Sequence, residues 1–200
     1  VEAEVLEVTD RQAMAGWVAA CDETAPLELA IANAGISAGT GSDAGESEEQ
    51  ARRILAVNHD GVLNTLFPAI ERMRPRRRGQ VAVMSSLAAF RGFPGAPAYC
   101  ASKAAVRVWA ESLRPELARE GVGVTVICPG FVKSRMTAVN DFPMPLLMTA
   151  EKAAEIVARG LARNKARIAF PLRLYAAVWL LAALPPGWTD AAMSRLPKKG

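Results

Sequence analysis

The stretch Pro97–Gly130, PAYCASKAAVRVWAESLRPELAREGVGVTVICPG, holds the two patterns that decide the fold. Its first part has helical period from about Pro97 to Arg119 and is closed by Gly121, a typical helix stop. Its second part, Val122 to Cys128, is a short apolar run of strand character, followed by the turn pair Pro129-Gly130. The same alternation repeats in both directions. Strand-like runs cover Glu4 to Val8, Leu27 to Ala32 and Gln80 to Ser85 on one side, and Ala166 to Phe170 on the other. Helical patterns fill the gaps. One runs from Arg11 to about Cys21 with Asp10 as its cap, and a long one opens at Ser47, Glu49 and Gln50 and reaches Arg74. Pro68 is expected to kink that long helix. A fourth helix is predicted over Glu151 to Arg163, and an apolar fifth over Leu172 to Leu184, ended by Pro185-Pro186. Strands alternating with helices predict an α/β fold built on a mainly parallel sheet.

A chain of 200 residues that is 51% hydrophobic and 22% charged can bury one sizeable core, which excludes disordered and fibrous classes. No internal repeat is present, so residues 1–200 read as one domain. The net charge of +4 raises nucleic acid as a partner, but the basic residues are dispersed apart from Arg74-Pro75-Arg76-Arg77-Arg78. That run connects a helix to a strand and carries no interleaved aromatic to stack on bases. A solvated connection is expected, with no nucleic-acid partner. Cys21, Cys100 and Cys128 have neither paired nor metal-ligand spacing, so free thiols, no metal and a cytoplasmic location are expected. The sequence shows no signal-peptide pattern, and no run of about eighteen uncharged apolar residues.

Ligands of open α/β sheets bind beyond the carboxyl ends of the strands. There the sequence places Asn33-Ala34-Gly35, Ser85-Ser86 and Pro129-Gly130. On the helix from Pro97, Tyr99 and Lys103 are four apart and share a face. A nearby ammonium favours phenolate and would draw the tyrosine below its usual value of about 10. Ser86 could reach the same substrate oxygen, and Asn58 lies on the preceding long helix.

Taken together, Asn33-Ala34-Gly35, Asn58, Ser86, Tyr99-x-x-x-Lys103 and Pro129-Gly130 resemble, in order and at family-like intervals, the short-chain dehydrogenase/reductase family. The resemblance runs from about Val5 to Phe170. It implies a Rossmann-type, doubly wound sheet in three αβα layers, and an NAD(P)-dependent interconversion of a secondary alcohol and a ketone. Tyr99 would be the general acid/base. Lys103 would lower the Tyr99 pKa and bond the nicotinamide ribose. Ser86 would polarise the substrate carbonyl, and Asn58 would position a water that links Lys103 to solvent. Asn33, Ala34 and Gly35 would lie beside the cofactor. Pro129 and Gly130 would pass under the nicotinamide, with the Val132 backbone and the Ser134 hydroxyl near its carboxamide. Ser134 replaces the family's more usual threonine, and Glu7 stands where the family generally has an adenine-contacting Asp.

The family opens with a strand, a Gly-rich turn, a helix and a second strand, some fifty residues without counterpart here. Gly35 to Gly41 has the Gly-x-x-x-Gly-x-Gly spacing, but Asp43, Glu46, Glu48 and Glu49 follow it, the wrong sign for a pyrophosphate. It reads instead as the loop after Asn-Ala-Gly. Further chain before Val1 is therefore expected, since the run Glu4 to Val8 would otherwise lack a neighbour and the sheet would show a raw edge. The choice between NAD and NADP lies with the absent second strand.

Residues 134–150 occupy the place of the family's substrate loop. Met136, Val139, Phe142, Met144, Leu146 and Leu147 there imply a small hydrophobic ketone or alcohol as substrate. The apolar extension 172–200, with Tyr175 and Trp179, is read as pocket wall or subunit contact ahead of a membrane-surface role for Arg173, Lys198 and Lys199. The resemblance implies a homodimer or homotetramer. His59 points away from Asn58 and reads as a surface or interface histidine, and Cys100 and Cys128 as inert packing. A nucleotide sensor without turnover is the alternative in a different class.

Overall fold

The computed structural model describes residues 2–37, 45–140 and 142–194. The Asp10 carboxylate accepts from the backbone N–H groups of Gln12 and Ala13, each at 3.0 Å, and so starts α1 (Arg11–Thr24). There follow β1 (Leu29–Ala32), α2 (Glu48–Leu55), a π-helical turn (Ala56–Asp60), α3 (Gly61–Arg76), β2 (Gly79–Met84) and a 3-10 turn (Leu87–Ala89). The remainder is α4 (Pro97–Arg119), β3 (Val122–Pro129), α5 (Arg135–Ala138), α6 (Ala150–Leu161), β4 (Arg167–Phe170), α7 (Leu172–Ala183) and α8 (Pro186–Met193). The four strands are parallel in the order β1-β2-β3-β4, with Ala32, Val83, Val126 and Arg167 in one row.

Helices cover both faces, which makes three layers. Val81, Val83, Val124 and Val126 pack beneath Leu66, Met73, Val106 and Leu117 of α3 and α4. Ala82, Ile127 and Ile168 meet Ala153 and Leu161 of α6 on the other side. Among the described residues, no helix is long and apolar enough to cross a membrane.

One local expectation is corrected and two are extended. Glu4 to Val8 is not a strand: it has no ladder partner among the described residues, and Val5 is fully exposed. Extended backbone becomes a strand only beside another, and the sheet ends at β1, where Leu29 and Ile31 are 39% and 40% exposed. The long second helix runs on through a π-helical turn at Ala56–Asp60, and Pro68 lies inside α3. The π turn adds a residue to the local helical path and turns Asn58 into the interior, where it is fully buried. Pro185-Pro186 does end α7, yet Pro186 also begins α8, because a fixed φ suits a first helical position.

The arginines at 74–78 are not merely solvated. Arg74 meets Glu120 at 2.5 Å, Arg76 meets Asp22 at 2.8 Å, Arg77 donates to Arg119 O at 2.6 Å, and Arg78 meets Glu28 at 2.5 Å. The run therefore fastens α3 to its neighbours. All three cysteines are free, and burial pushes the Cys128 thiol up to about 12.

Candidate active site

Just past β2 the chain is tied to its neighbours. The Ser85 N–H donates to Ile127 O and the Ser85 hydroxyl to Lys103 O, both at 2.8 Å. This anchors the strand end to α4 and fixes where Ser86 emerges. Ser86 is extended and caps the 3-10 turn, its Oγ accepting from the Ala88 N–H at 3.1 Å. Opposite, Pro97 opens α4, and Glu46 Oε2 accepts from the Ala98 N–H at 3.0 Å. One acidic residue of the segment read as unsuited to a phosphate thus caps the helix that carries Tyr99 and Lys103.

Ser86, Tyr99 and Lys103 are brought together. Ser86 is close enough to the Tyr99 phenol to pull its pKa down, and Lys103 Nζ lies 5.8 Å from the centre of the Tyr99 ring. Lys103 is almost wholly buried, and its ammonium donates to Met84 O at 2.8 Å. Desolvation lowers it to about 8. Burial also dominates at Tyr99 and raises the phenol above its usual value, with Ser86 pulling the other way. The lowering of Tyr99 expected from Lys103 is thus not seen in this arrangement, where the ammonium is directed at a backbone carbonyl.

Asn58 acts here as a clamp. Its Oδ1 accepts from the Ile36 N–H at 2.7 Å, and its Nδ2 donates to Ile36 O at 2.8 Å and to Ser102 Oγ at 3.1 Å. Ser102 in turn donates to Tyr99 O at 2.8 Å, so the loop after β1 is joined through the π turn to the first turn of α4. Ser102 is fully buried and was not singled out in the sequence. Its position three residues after Tyr99, toward Asn58, was the available signal.

Asn33 and Ala34 are exposed at the end of β1. A Cβ at Gly35 would stand 3.2 Å from both Asn58 Oδ1 and Lys103 Nζ, so a side chain there would crowd the two groups. Pro129 ends β3, and the Gly130 N–H donates to Phe170 O at 2.7 Å. Val132 bridges to Met148. Ser134 caps α5 reciprocally with Thr137, which engages the hydroxyl that was expected near a carboxamide. The part of the Gly35–Gly41 spacing from residue 38 on lies outside the described residues. His59 Nδ1 lies 2.7 Å from Asp60 Oδ1, apart from this cluster.

A cavity of about 550 Å³ is lined by Phe90, Phe93, Cys100 and Ala104, with Asp190 and Met193 of α8 at its side; Ser86, Tyr99 and Lys103 do not line it. Helix α8, which the sequence reading did not include, supplies one side of this cavity. Another cavity of about 580 Å³ lies between α6, β4 and the start of α7.

Comparison with known proteins agrees with this geometry. The family described as short chain dehydrogenase matches residues 1–142. An uncharacterized oxidoreductase of Myxococcus xanthus (strain DK1622) is 42% identical over 197 residues, which are 98% of this chain and 78% of that protein. Among solved structures, a short-chain dehydrogenase from Streptomyces avermitilis superposes with a TM-score of 0.74 at 21% identity, over 98% of this chain and 82% of that one. ElxO, solved with NADP bound, gives 0.69 at 20% identity, over 82% of this chain and 75% of its own. With two thirds of its length matched by the family and an oxidoreductase relative aligned almost end to end, the chain belongs to the short-chain dehydrogenase family of oxidoreductases.

Proposed function

We propose that the chain interconverts a secondary alcohol and a ketone on an apolar substrate, with NAD or NADP as redox partner. The observation that carries this reading is the convergence of Ser86 and Lys103 on Tyr99, with the Lys103 ammonium 5.8 Å from the ring and Ser86 near enough to the phenol to lower its pKa. Tyr99 gives a proton to the carbonyl oxygen in reduction and takes it back in oxidation. Ser86 donates to that oxygen where negative charge develops.

The residues present fit a nicotinamide cofactor. An ammonium has three donors, and Met84 O is the one hydrogen-bond acceptor of Lys103 among the described residues, which leaves donors for ribose hydroxyls. Gly35 keeps the approach to Lys103 clear, and Asn33 and Ala34 are open beside it. Pro129, Gly130, Val132 and Ser134 would hold the nicotinamide end, and Asn58 keeps the Gly35-Ile36 backbone in place for it. The cofactor, when bound, supplies or accepts the hydride. That ElxO was solved with NADP supports the cofactor class without choosing between NAD and NADP. An apolar substrate is supported by Val139, Leu146 and Leu147, which are 69%, 49% and 38% exposed on the loop after β3.

The test is Tyr99→Phe. Turnover of a panel of hydrophobic ketones and alcohols should fall by roughly 10²–10⁴-fold, while NADH and NADPH titrations followed by fluorescence stay unchanged. Undiminished turnover in the variant overturns the assignment. Cofactor binding by the unaltered protein without turnover of any panel member would favour a sensor.

A further inference from the structure

We propose that α7 and the cationic rim at its start form a docking surface for an anionic phospholipid membrane, on which the protein lies without crossing. Apart from Arg173 and the Tyr175 hydroxyl, helix α7 is apolar around its circumference. Leu174, Val178 and Leu181 face inward, with Val178 7% exposed. Leu172, Ala176, Trp179, Leu180 and Ala183, spaced i, i+4, i+7, i+8 and i+11, form a single outward stripe. Leu172, Trp179 and Leu180 in it are 74%, 54% and 61% exposed. The stripe continues past the helix end through Leu184 at 43% to Trp188 at 79%. A helix apolar on all sides is ordinarily covered on all sides, and this outer face is covered by nothing among the described residues.

Charge selects the occupant. Arg173, the one charged residue of α7, borders the stripe, and Leu172 shares the wall of the 580 Å³ cavity with Arg159, Arg163 and Lys165. Arg159 is loosely paired with Glu155 at 3.7 Å, whereas Arg163, Lys165 and Arg173 form no ion pair among the described residues. The acidic residue of α8, Asp190, lines the other cavity. An apolar stripe ending in cations of one sign is complementary to acyl chains beneath anionic headgroups. A second copy meeting this rim would bring the same sign. A membrane surface would in addition place the enzyme where apolar ketones partition.

Cosedimentation with vesicles of phosphatidylcholine alone, or mixed with phosphatidylglycerol, tests the proposal. The protein should pellet with the anionic vesicles only, severalfold less at about 0.5 M salt, and with a blue shift of tryptophan emission. Trp179→Glu with Leu180→Glu should lower that binding at least tenfold, as should Arg163→Glu with Lys165→Glu. All four side chains point to solvent, so melting temperature and cofactor binding should not change. Failure to bind anionic vesicles overturns the proposal. So does a change of the Trp179→Glu variant from dimer to monomer by sedimentation equilibrium, which would make the stripe an interface between copies.

Discussion

Replacing Asn58 by alanine removes three hydrogen bonds from a fully buried position: those with Ile36 N and O at 2.7 and 2.8 Å and with Ser102 at 3.1 Å. Each such bond contributes about 1 kcal/mol net, and buried partners left unpaired raise the cost further. Asn58→Ala should therefore destabilise the fold by about 3 kcal/mol or more. At roughly 2–4 °C per kcal/mol for a domain of this size, the melting temperature should fall by about 6–12 °C. Urea unfolding at constant m-value gives the free energy directly. The loss is also directional, because the clamp holds Gly35 and Ile36 near Lys103. KM for the nicotinamide cofactor should rise more than kcat falls at temperatures where the variant is folded. A variant within about 1 kcal/mol of the parent, with unchanged cofactor KM, would refute the clamp. A purely catalytic loss at full stability would point to the water-positioning role instead.

Lys103→Met tests the buried ammonium. The folded-state value is lowered to about 8 from 10.5, so between those pH values the unfolded chain binds more protons and stability should rise with pH. The penalty is fully present below pH 8 and relieved by about pH 10.5, on the order of 3 kcal/mol. The stability difference between parent and Lys103→Met should shift by that amount across the window, and a flat difference would show the ammonium to be well solvated. Gly121→Ala places a Cβ against the Arg77 backbone at φ +76° and should cost more than about 2 kcal/mol in urea unfolding.

The elements were readable wherever a local rule settles them. Asp10 and Gly121 mark helix ends through groups that must be capped or a φ that only glycine adopts easily, and the apolar run at Val122–Pro129 follows from burial. What was not readable depends on neighbours. Glu4 to Val8 has strand composition but no partner strand among the described residues. Asn58, in the π turn at Ala56–Asp60, is bonded to Ile36 and Ser102, twenty-two and forty-four residues away, which no local pattern encodes. Tyr99 and Lys103 one turn apart are a weak signal alone; they and Ser86 were legible because they stand in order with Asn33-Ala34-Gly35, Asn58 and Pro129-Gly130. Ser102 and Glu46, which hold that turn, act across segments.

The direction of the two pKa shifts bears on what the cluster does before a cofactor arrives. Burial acts oppositely on the two groups: it raises the neutral phenol of Tyr99 and lowers the cation of Lys103 to about 8. Near neutral pH the phenol therefore keeps its proton while the lysine is still largely charged, and on raising the pH the ammonium is the first of the pair to deprotonate. In the proposed reaction this leaves Tyr99 as a proton donor, the state that carbonyl reduction requires. To serve as a base for alcohol oxidation, Tyr99 needs more positive charge near its oxygen than a lysine bonded to Met84 O provides. The buried lysine, with donors to spare, is the group in this chain that can turn toward that oxygen.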